Sequence, residues 1–174
     1  MQLSSTALSA TISVGEPLPE LLIDDRGELV IDGEDFSYTP WQHPGGIGKV
    51  HVLQYMAGRM TARSQTQPFT DKLEATLPVG SFHVTTVINL DDALWGTSGF
   101  VVGEVKDNKR KYPASTIVLD QEGSGLDTWQ LQPKGATIVV LDPMGSVLFL
   151  KEGGMTEQEI ESTLQLMQQH IGEP

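Results

Sequence analysis

The sequence contains no cysteine. A cysteine thiolate is the nucleophile in disulfide exchange and in thiol-dependent peroxide reduction, so both activities are excluded. The four histidines, His43, His51, His83 and His170, are scattered and lack the short spacing of a structural zinc site. We therefore expect no metal centre and no cofactor.

Motifs for other common chemistries are also missing. The chain has no Gly-x-Ser-x-Gly nucleophile turn, no Walker loop and no Gly-x-Gly-x-x-Gly after a strand. No apolar run approaches the roughly 18 residues of a membrane-spanning helix. A net charge of −12, from 23 acidic and 11 basic residues, repels the phosphates of nucleic acids and of anionic membranes. The sequence thus predicts neither nucleic-acid binding nor membrane insertion.

The composition is that of a folded domain. The chain has 174 residues, 39% of them hydrophobic, which suffices for one core without disulfides. Residues 1–12 are small and polar, and they lack the basic and apolar regions of a signal peptide. We expect a flexible leader at 1–14 and a single domain over 15–174. Because Ala7, Leu8 and Ser9 resemble the end of a signal cleavage site, a trimmed secretory protein is the alternative.

Strands and helices alternate in the middle of the chain. Short, largely apolar runs predict buried strands over 49–56 and 84–90. Helices are predicted over 61–75 and 98–110, and Pro68 in the first of them indicates a kink or a late start. Alternation of this kind is typical of a parallel sheet flanked by helices.

Hairpins are predicted on either side of this central part. Residues 21–31 and 138–149 each show the pattern strand, turn, strand. A short segment near Trp129 precedes the second hairpin, and Thr156 with Glu159 forms a capping box that opens a C-terminal helix. The predicted fold class is α/β, with a central mixed sheet flanked by helices and an N-terminal β-hairpin extension.

Local motifs in this order resemble those of one family. They are Asp25-Arg26-Gly27-Glu28-Leu29-Val30, Phe36-Ser37-Tyr38 with Trp41, Gly48-Lys49-Val50 with Val52-Leu53-Gln54, Ala57-Gly58-Arg59, Asp91-Asp92-Ala93, Tyr112-Pro113, Trp129-Gln130-Leu131 and Val139-Val140-Leu141-Asp142 with Gly145. Together they resemble the YtfJ family of bacterial periplasmic proteins. The resemblance implies a thioredoxin-like fold in its peroxiredoxin-like form, without redox cysteines, and a periplasmic location.

The resemblance also indicates where a redox site would lie. The stretch 59–63 corresponds to the cysteine motif of redox relatives, and Ala136 stands at the position of their cis-proline. A cis bond before a residue other than proline costs about 2.5–4 kcal/mol, so a trans peptide is predicted there. The vacated cleft is the candidate site, and its predicted residues are Arg59, Met60, Arg63, Asp91, Asp92, Trp95, Ala136 and Thr137.

Each of these residues has an alternative interpretation. Arg59 and Arg63 lie near a helix N-terminus, where an anion site and a solvated loop are both possible. Asp91 and Asp92 follow a strand, where they either contact a ligand or complement a helix dipole. We expect Arg59 to face the turn before Ala136 and Thr137, unless Met60 and Trp95 fill the cleft. In the first case Thr137 would pair with an added peptide strand.

Two functions remain open. The first is a binding or interaction module that recruits a periplasmic protein or peptide partner without chemistry. The second is a small anionic ligand binder or a non-thiol enzyme that uses the vacated cleft.

Overall fold

A seven-stranded mixed sheet forms the centre of the molecule, and the computed structural model describes residues 10–172. The elements in chain order are β1 (Leu21–Asp32), β2 (Asp35–His43), β3 (Val50–Ala57), α1 (Met60–Thr76), β4 (Phe82–Asn89), α2 (Ser98–Lys111), β5 (Thr116–Asp120), α3 (Ser124–Trp129), β6 (Ala136–Leu141), β7 (Val147–Glu152) and α4 (Glu157–Ile171). The strand order is β2-β1-β5-β4-β3-β6-β7. Strands β3, β4 and β5 are parallel, whereas the other pairs are antiparallel. The predicted mixed sheet is confirmed, with β1 and β2 as its N-terminal strand pair.

Strand β3 is buried over its full length because both faces of the sheet are covered there. On one face, Val50 and Val52 pack against Phe69 and Leu73 of α1 and against α4. On the other face, Leu53 and Tyr55 pack against Trp129 of α3 and against strands β1 and β2. This accounts for the nearly continuous apolar sequence of the strand. The prediction that 49–56, 84–90 and 136–141 share one sheet is confirmed.

Helix α4 begins as its sequence predicts. The Thr156 side chain accepts a hydrogen bond from the backbone N–H of Glu159, and the Glu159 carboxylate accepts one from the backbone N–H of Thr156. Ile160, Leu164 and Met167 are buried against the sheet at helical spacing.

The predicted hairpin over 21–31 is wrong. These residues belong to one strand, β1, whose pairing with β2 is irregular between Ile23 and Glu28. Gly27 lies at this irregularity with φ +84°, and a Cβ there would stand 2.1 Å from the carbonyl oxygen of Thr39. A glycine within such a run is typical of a turn, but here it permits a close approach of two strands. The hairpin joins β1 to β2 instead, with Gly33 at φ +64° in its turn.

Helix α1 contains Pro68 and yet extends without interruption from Met60 to Thr76. The predicted late start is therefore wrong. Ala62, Phe69 and Leu73 are completely buried on its inner face, and this packing holds the helix together on both sides of the proline.

The predicted leader lies partly outside the described residues, which begin at Ala10. From there the chain follows the domain: the N–H of Ala10 donates to the carbonyl of Thr128 at 2.9 Å, and Ile12 is buried. Within residues 10–172, no helix combines the length and the apolar character needed to cross a membrane.

Candidate functional site

A groove of about 600 Å³ lies between helices α1 and α2 on one face of the sheet. Helix α1 packs over β3 and β6, whereas Val105 of α2 packs over β5 and β1. Helix α1 follows β3 and α2 follows β4, and these two strands are parallel. Both helices therefore begin beyond the carboxyl ends of the strands and run side by side. Strand β4 lies between them and is left without a helix above it.

The floor of the groove shows this gap directly. Val84, Thr86 and Ile88 alternate along β4 and are only half-buried on the groove side, although β4 is the central strand. Thr85 and Val87, which point to the opposite face, are buried. A central strand is normally covered on both faces, so the exposed floor marks a surface available to a ligand.

A polar pair interrupts this floor. Gln54 of β3 and Thr86 of β4 are neighbours in register, and both line the groove. The Gln54 side chain is only 3% exposed, and its recorded hydrogen bond is a long one of 3.5 Å from Nε2 to Thr70 Oγ1. Among residues 10–172, the Thr86 hydroxyl forms no hydrogen bond, and it is half-buried and open to the groove. A hydroxyl and an amide can each donate and accept, so this pair can form hydrogen bonds with a ligand.

The two walls differ in character. The α1 wall is polar, with Arg63, Thr66, Gln67 and Thr70 facing the groove. The α2 wall is more apolar and includes Phe100, Val101 and Val105, together with Glu104. The groove is therefore amphipathic across its width.

The predicted residues Arg59 and Asp92 meet at the end of the groove where α1 and α2 begin, which we call its upper end. Arg59 Nε donates to the backbone carbonyl of Asp92 at 2.5 Å. The Asp92 carboxylate accepts a hydrogen bond from the backbone N–H of Lys134, also at 2.5 Å. Asp92 thus joins the loop after β4, the start of α1 and the turn before β6, while Asp91 is exposed.

Strand addition at Ala136 and Thr137 does not occur in this arrangement, and that prediction is wrong. Thr137 pairs with Tyr55 of β3 on one side and with Glu152 of β7 on the other. The N–H of Ala136 donates to Gln65 Oε1 at 2.9 Å, so a side chain of α1 already occupies its hydrogen bond. The one cis peptide bond recorded within residues 10–172 is that before Pro44, and the bond before Ala136 is trans as predicted.

Met60 and Trp95 do not fill the cleft. Their exposed fractions are 66% and 99%, and Leu94 and Phe100 beside them are also largely exposed. We call these four residues, Met60, Leu94, Trp95 and Phe100, the apolar rim; three of them, all but Trp95, line the groove. Large exposed apolar side chains in one place are typical of an interaction surface.

Sequence reasoning missed most of the groove. Gln54, Thr86 and Phe100 were not predicted as site residues, because nothing in the sequence shows that α1 and α2 are separated. The one available signal was Gln54, a polar residue within the otherwise apolar run Val52-Leu53-Gln54-Tyr55.

A second polar cluster lies on the opposite face and is structural. The Tyr55 hydroxyl donates to Asp120 Oδ2 at 2.7 Å and accepts from the N–H of Leu126 at 2.9 Å. Asp120 is completely buried, and it also accepts hydrogen bonds from the N–H groups of Ser124 and Gly125. Burial raises the pKa of Asp120, although these hydrogen bonds oppose the shift. Burial likewise raises the pKa of Tyr55, and neighbouring Asp120 adds to the rise.

Two histidines lie near the other end of the parallel strands. His51 Nε2 is 2.7 Å from Thr85 Oγ1, and His83 Nε2 is 2.8 Å from Thr116 Oγ1. Burial lowers the pKa of His51 to about 3, and the neighbouring imidazole of His83 contributes to the shift. Within residues 10–172, no three histidine, aspartate or glutamate residues are grouped so that they could hold a metal ion.

Relatives with clear sequence similarity are bacterial proteins. The chain is 38% identical over 155 residues to the uncharacterized protein YtfJ of Escherichia coli strain K12, covering 88% of this chain and 84% of that protein. It is 34% identical over 166 residues to an uncharacterized protein of Haemophilus influenzae, covering 94% and 90% respectively.

Solved structures with low identity show the fold. A candidate thiol:disulfide interchange protein DsbE from Chlorobium tepidum has a TM-score of 0.62 at 18% identity, covering 93% of this chain and all of that one. The thioredoxin-like superfamily protein SPOA0173 has a TM-score of 0.60 at 15% identity, covering 92% and 99%. The fold is thioredoxin-like, and it lacks the cysteines on which thiol chemistry depends.

The model of one protein family matches residues 12–170, which is nearly the whole described chain. Its description is bacterial protein of unknown function, YtfJ_HI0045. The chain belongs to this family.

Proposed function

We propose that this protein is a non-redox binding module of the periplasm, and that it recruits a polypeptide partner through the groove between α1 and α2. The observation that carries the proposal is the uncovered floor of β4, which opens directly beside the apolar rim. A groove of about 600 Å³ falls within the usual size range of ligand sites.

The apolar rim supports a polypeptide partner. Trp95 is 99% exposed in a loop beside Gly96, which has φ +78°. Tryptophan is enriched among the residues that contribute most to protein–protein binding, because it buries a large area on contact. Exposing it to water in the free protein is unfavourable, and a partner that covers it recovers that free energy.

The alternative is a small anionic ligand at the upper end of the groove. Arg59 and Arg63 lie there, beside the N-terminus of α1. However, Arg59 already donates to the Asp92 carbonyl, which leaves Arg63 as the cation available to an anionic group. The extended floor and the apolar rim are not needed for a small anion, so the polypeptide partner is favoured.

Site-specific photo-cross-linking in living bacteria tests the proposal. A benzoylphenylalanine residue replaces Trp95 in one strain and Val79 in another, since Val79 is 100% exposed but follows α1 at its other end. We expect discrete adducts from position 95 and none from position 79, in the periplasmic fraction. Equal labelling at both positions, or a cytoplasmic protein, would contradict the proposal.

A further inference from the structure

The dimensions of the groove limit what can occupy it. Helix α1 lies over the β3–β6 boundary and α2 over the β5–β1 boundary, which are three strand spacings apart. At about 4.8 Å per strand the helix axes are about 14 Å apart. Helices in direct contact are about 8–10 Å apart, so α1 and α2 are too far apart to pack together and too close to admit a third helix. A single extended chain has the appropriate width.

The charges along the groove give it a direction. The six charged residues that line it are Arg59, Arg63, Asp71, Glu74, Glu104 and Lys111. Both arginines are at the upper end, where α1 and α2 also begin with their positive dipole ends. Asp71 and Glu74 are at the lower end of α1 and outnumber the one lining cation there, Lys111, whose ammonium lies 5.1 Å from the ring centre of Tyr112. An occupant with a negative end at Arg63 and a positive end near Glu74 matches this gradient.

The polar pair in the floor distinguishes a peptide from a hydrocarbon chain. Gln54 is buried and has only a 3.5 Å hydrogen bond, and Thr86 beside it has none recorded within residues 10–172. A hydrocarbon chain would remove water from both groups without replacing its hydrogen bonds, which is unfavourable. A peptide backbone supplies a donor and an acceptor at every residue. The hydroxyls of Thr66 and Thr70 on the α1 wall already donate to the carbonyl oxygens of Arg63 and Thr66, so they can only accept hydrogen bonds from an occupant.

From these observations we infer that the groove binds the extended C-terminal segment of a polypeptide, with its carboxylate at Arg63 and its apolar side chains against α2. The inference rests on the proposed function and specifies its partner. The lining of α1 from Arg63, where the carboxylate binds, to Glu74 spans about 17 Å at 1.5 Å per residue. An extended chain covers that length with about five residues, so a hexapeptide is long enough to fill it.

A random hexapeptide library with free carboxyl ends, passed over the immobilised protein, tests the inference. A second library with amidated ends is the reference, and bound peptides are sequenced by mass spectrometry. We expect free-carboxyl peptides with apolar residues to be enriched at least tenfold over their amides. Equal enrichment of amides would overturn the assignment of the carboxylate, and no enrichment would overturn the peptide.

Three variants connect the binding to the groove. Arg63→Glu should abolish the preference for the free carboxylate, because it reverses the charge at that end. Lys72→Glu is the matched control, because it makes the same reversal of charge on α1 at an exposed position outside the groove. We expect this variant to bind the peptides as the unmodified protein does. Thr86→Val keeps the shape of the floor and removes the hydroxyl, and we expect it to bind several-fold more weakly. Unchanged binding by Arg63→Glu would contradict the inference.

The outcomes also separate this inference from the proposed function. Titration with sodium dodecanoate serves as the comparison for a carboxylated hydrocarbon chain. If dodecanoate binds and hexapeptides do not, the occupant is an acyl chain and the inference is wrong. Cross-links at position 95 without peptide enrichment overturn the inference and leave the binding module intact, whereas the absence of both overturns both.

Discussion

The Tyr55 hydroxyl connects strand β3 to the segment after β5, and its removal is a strong test of the core. In Tyr55→Phe, Asp120 Oδ2 loses a 2.7 Å hydrogen bond, and the N–H of Leu126 loses its 2.9 Å acceptor. Asp120 keeps the N–H groups of Ser124 and Gly125, both at 2.8 Å. One charge-assisted hydrogen bond contributes about 1.5–3 kcal/mol, and an unpaired N–H costs about 1 kcal/mol or more. We expect the free energy of unfolding to fall by about 3 kcal/mol.

Urea denaturation followed by circular dichroism measures this loss. The midpoint should decrease while the slope of the transition is unchanged, because the surface exposed on unfolding is the same. Tyr38→Phe is the matched control: Tyr38 is partly exposed, and its ring lies 5.7 Å from the Arg26 guanidinium. We expect it to change stability by less than about 0.5 kcal/mol. A loss under about 1 kcal/mol in Tyr55→Phe would refute the assigned role of the hydroxyl.

The penalty should also depend on pH. Burial raises the folded-state pKa of Asp120 above its ordinary value of 3.8, so the folded protein holds this proton more tightly than the unfolded chain. That contribution to stability is complete below the ordinary pKa and is lost as the pH rises through the folded pKa. The hydrogen bond from Tyr55 lowers the pKa of Asp120, so removing it raises that pKa further. The destabilisation by Tyr55→Phe should therefore be larger at pH 7 than at pH 3.

Three more predictions concern packing, pH and activity. Gly125→Ala places a Cβ 2.3 Å from Tyr55 Cε2 and should lower the free energy of unfolding by about 1–3 kcal/mol. Its control, Gly103→Ala on α2, meets no atom within 4 Å and should be neutral or stabilising in the same urea denaturation assay. His51 has a folded pKa of about 3 against 6.5 in the unfolded chain, so its contribution is present above pH 6.5 and about 2 kcal/mol of it is lost by pH 5. His51→Gln should flatten this part of the stability profile, and an unchanged profile would contradict the assignment. Insulin-reduction and peroxide-consumption assays should show no turnover above buffer, since the chain has no cysteine; measurable turnover would refute this.

The sequence predicts the sheet and its long elements because these depend on local patterns. The apolar run at β3 and the capping box at Thr156 each determine a local structure that the fold retains. The role of Gly27 was missed, because a glycine that admits a neighbouring strand and one that makes a turn look alike in the sequence. Gln65 was missed for a different reason: its hydrogen bond to Ala136 joins residues 71 positions apart, and no local pattern reports such a contact.

The candidate site was predicted at its upper end only. Arg59 and Asp92 are predicted in one cleft because they follow the carboxyl ends of adjacent strands, and the structure brings them together. The groove itself depends on the distance between α1 and α2. That distance is a consequence of which strands each helix packs over, and no short sequence pattern specifies it.

Methyl NMR tests the central claim, that the binding surface is the groove between α1 and α2. The protein is labelled at the δ1-methyl groups of isoleucine and titrated with the partner protein identified by cross-linking. Ile88 and Ile117 line the groove, whereas Ile12 and Ile23 belong to the core on the opposite face. The account predicts that the Ile88 and Ile117 signals shift on binding and that those of Ile12 and Ile23 do not. Shifts confined to Ile12 and Ile23 would contradict it.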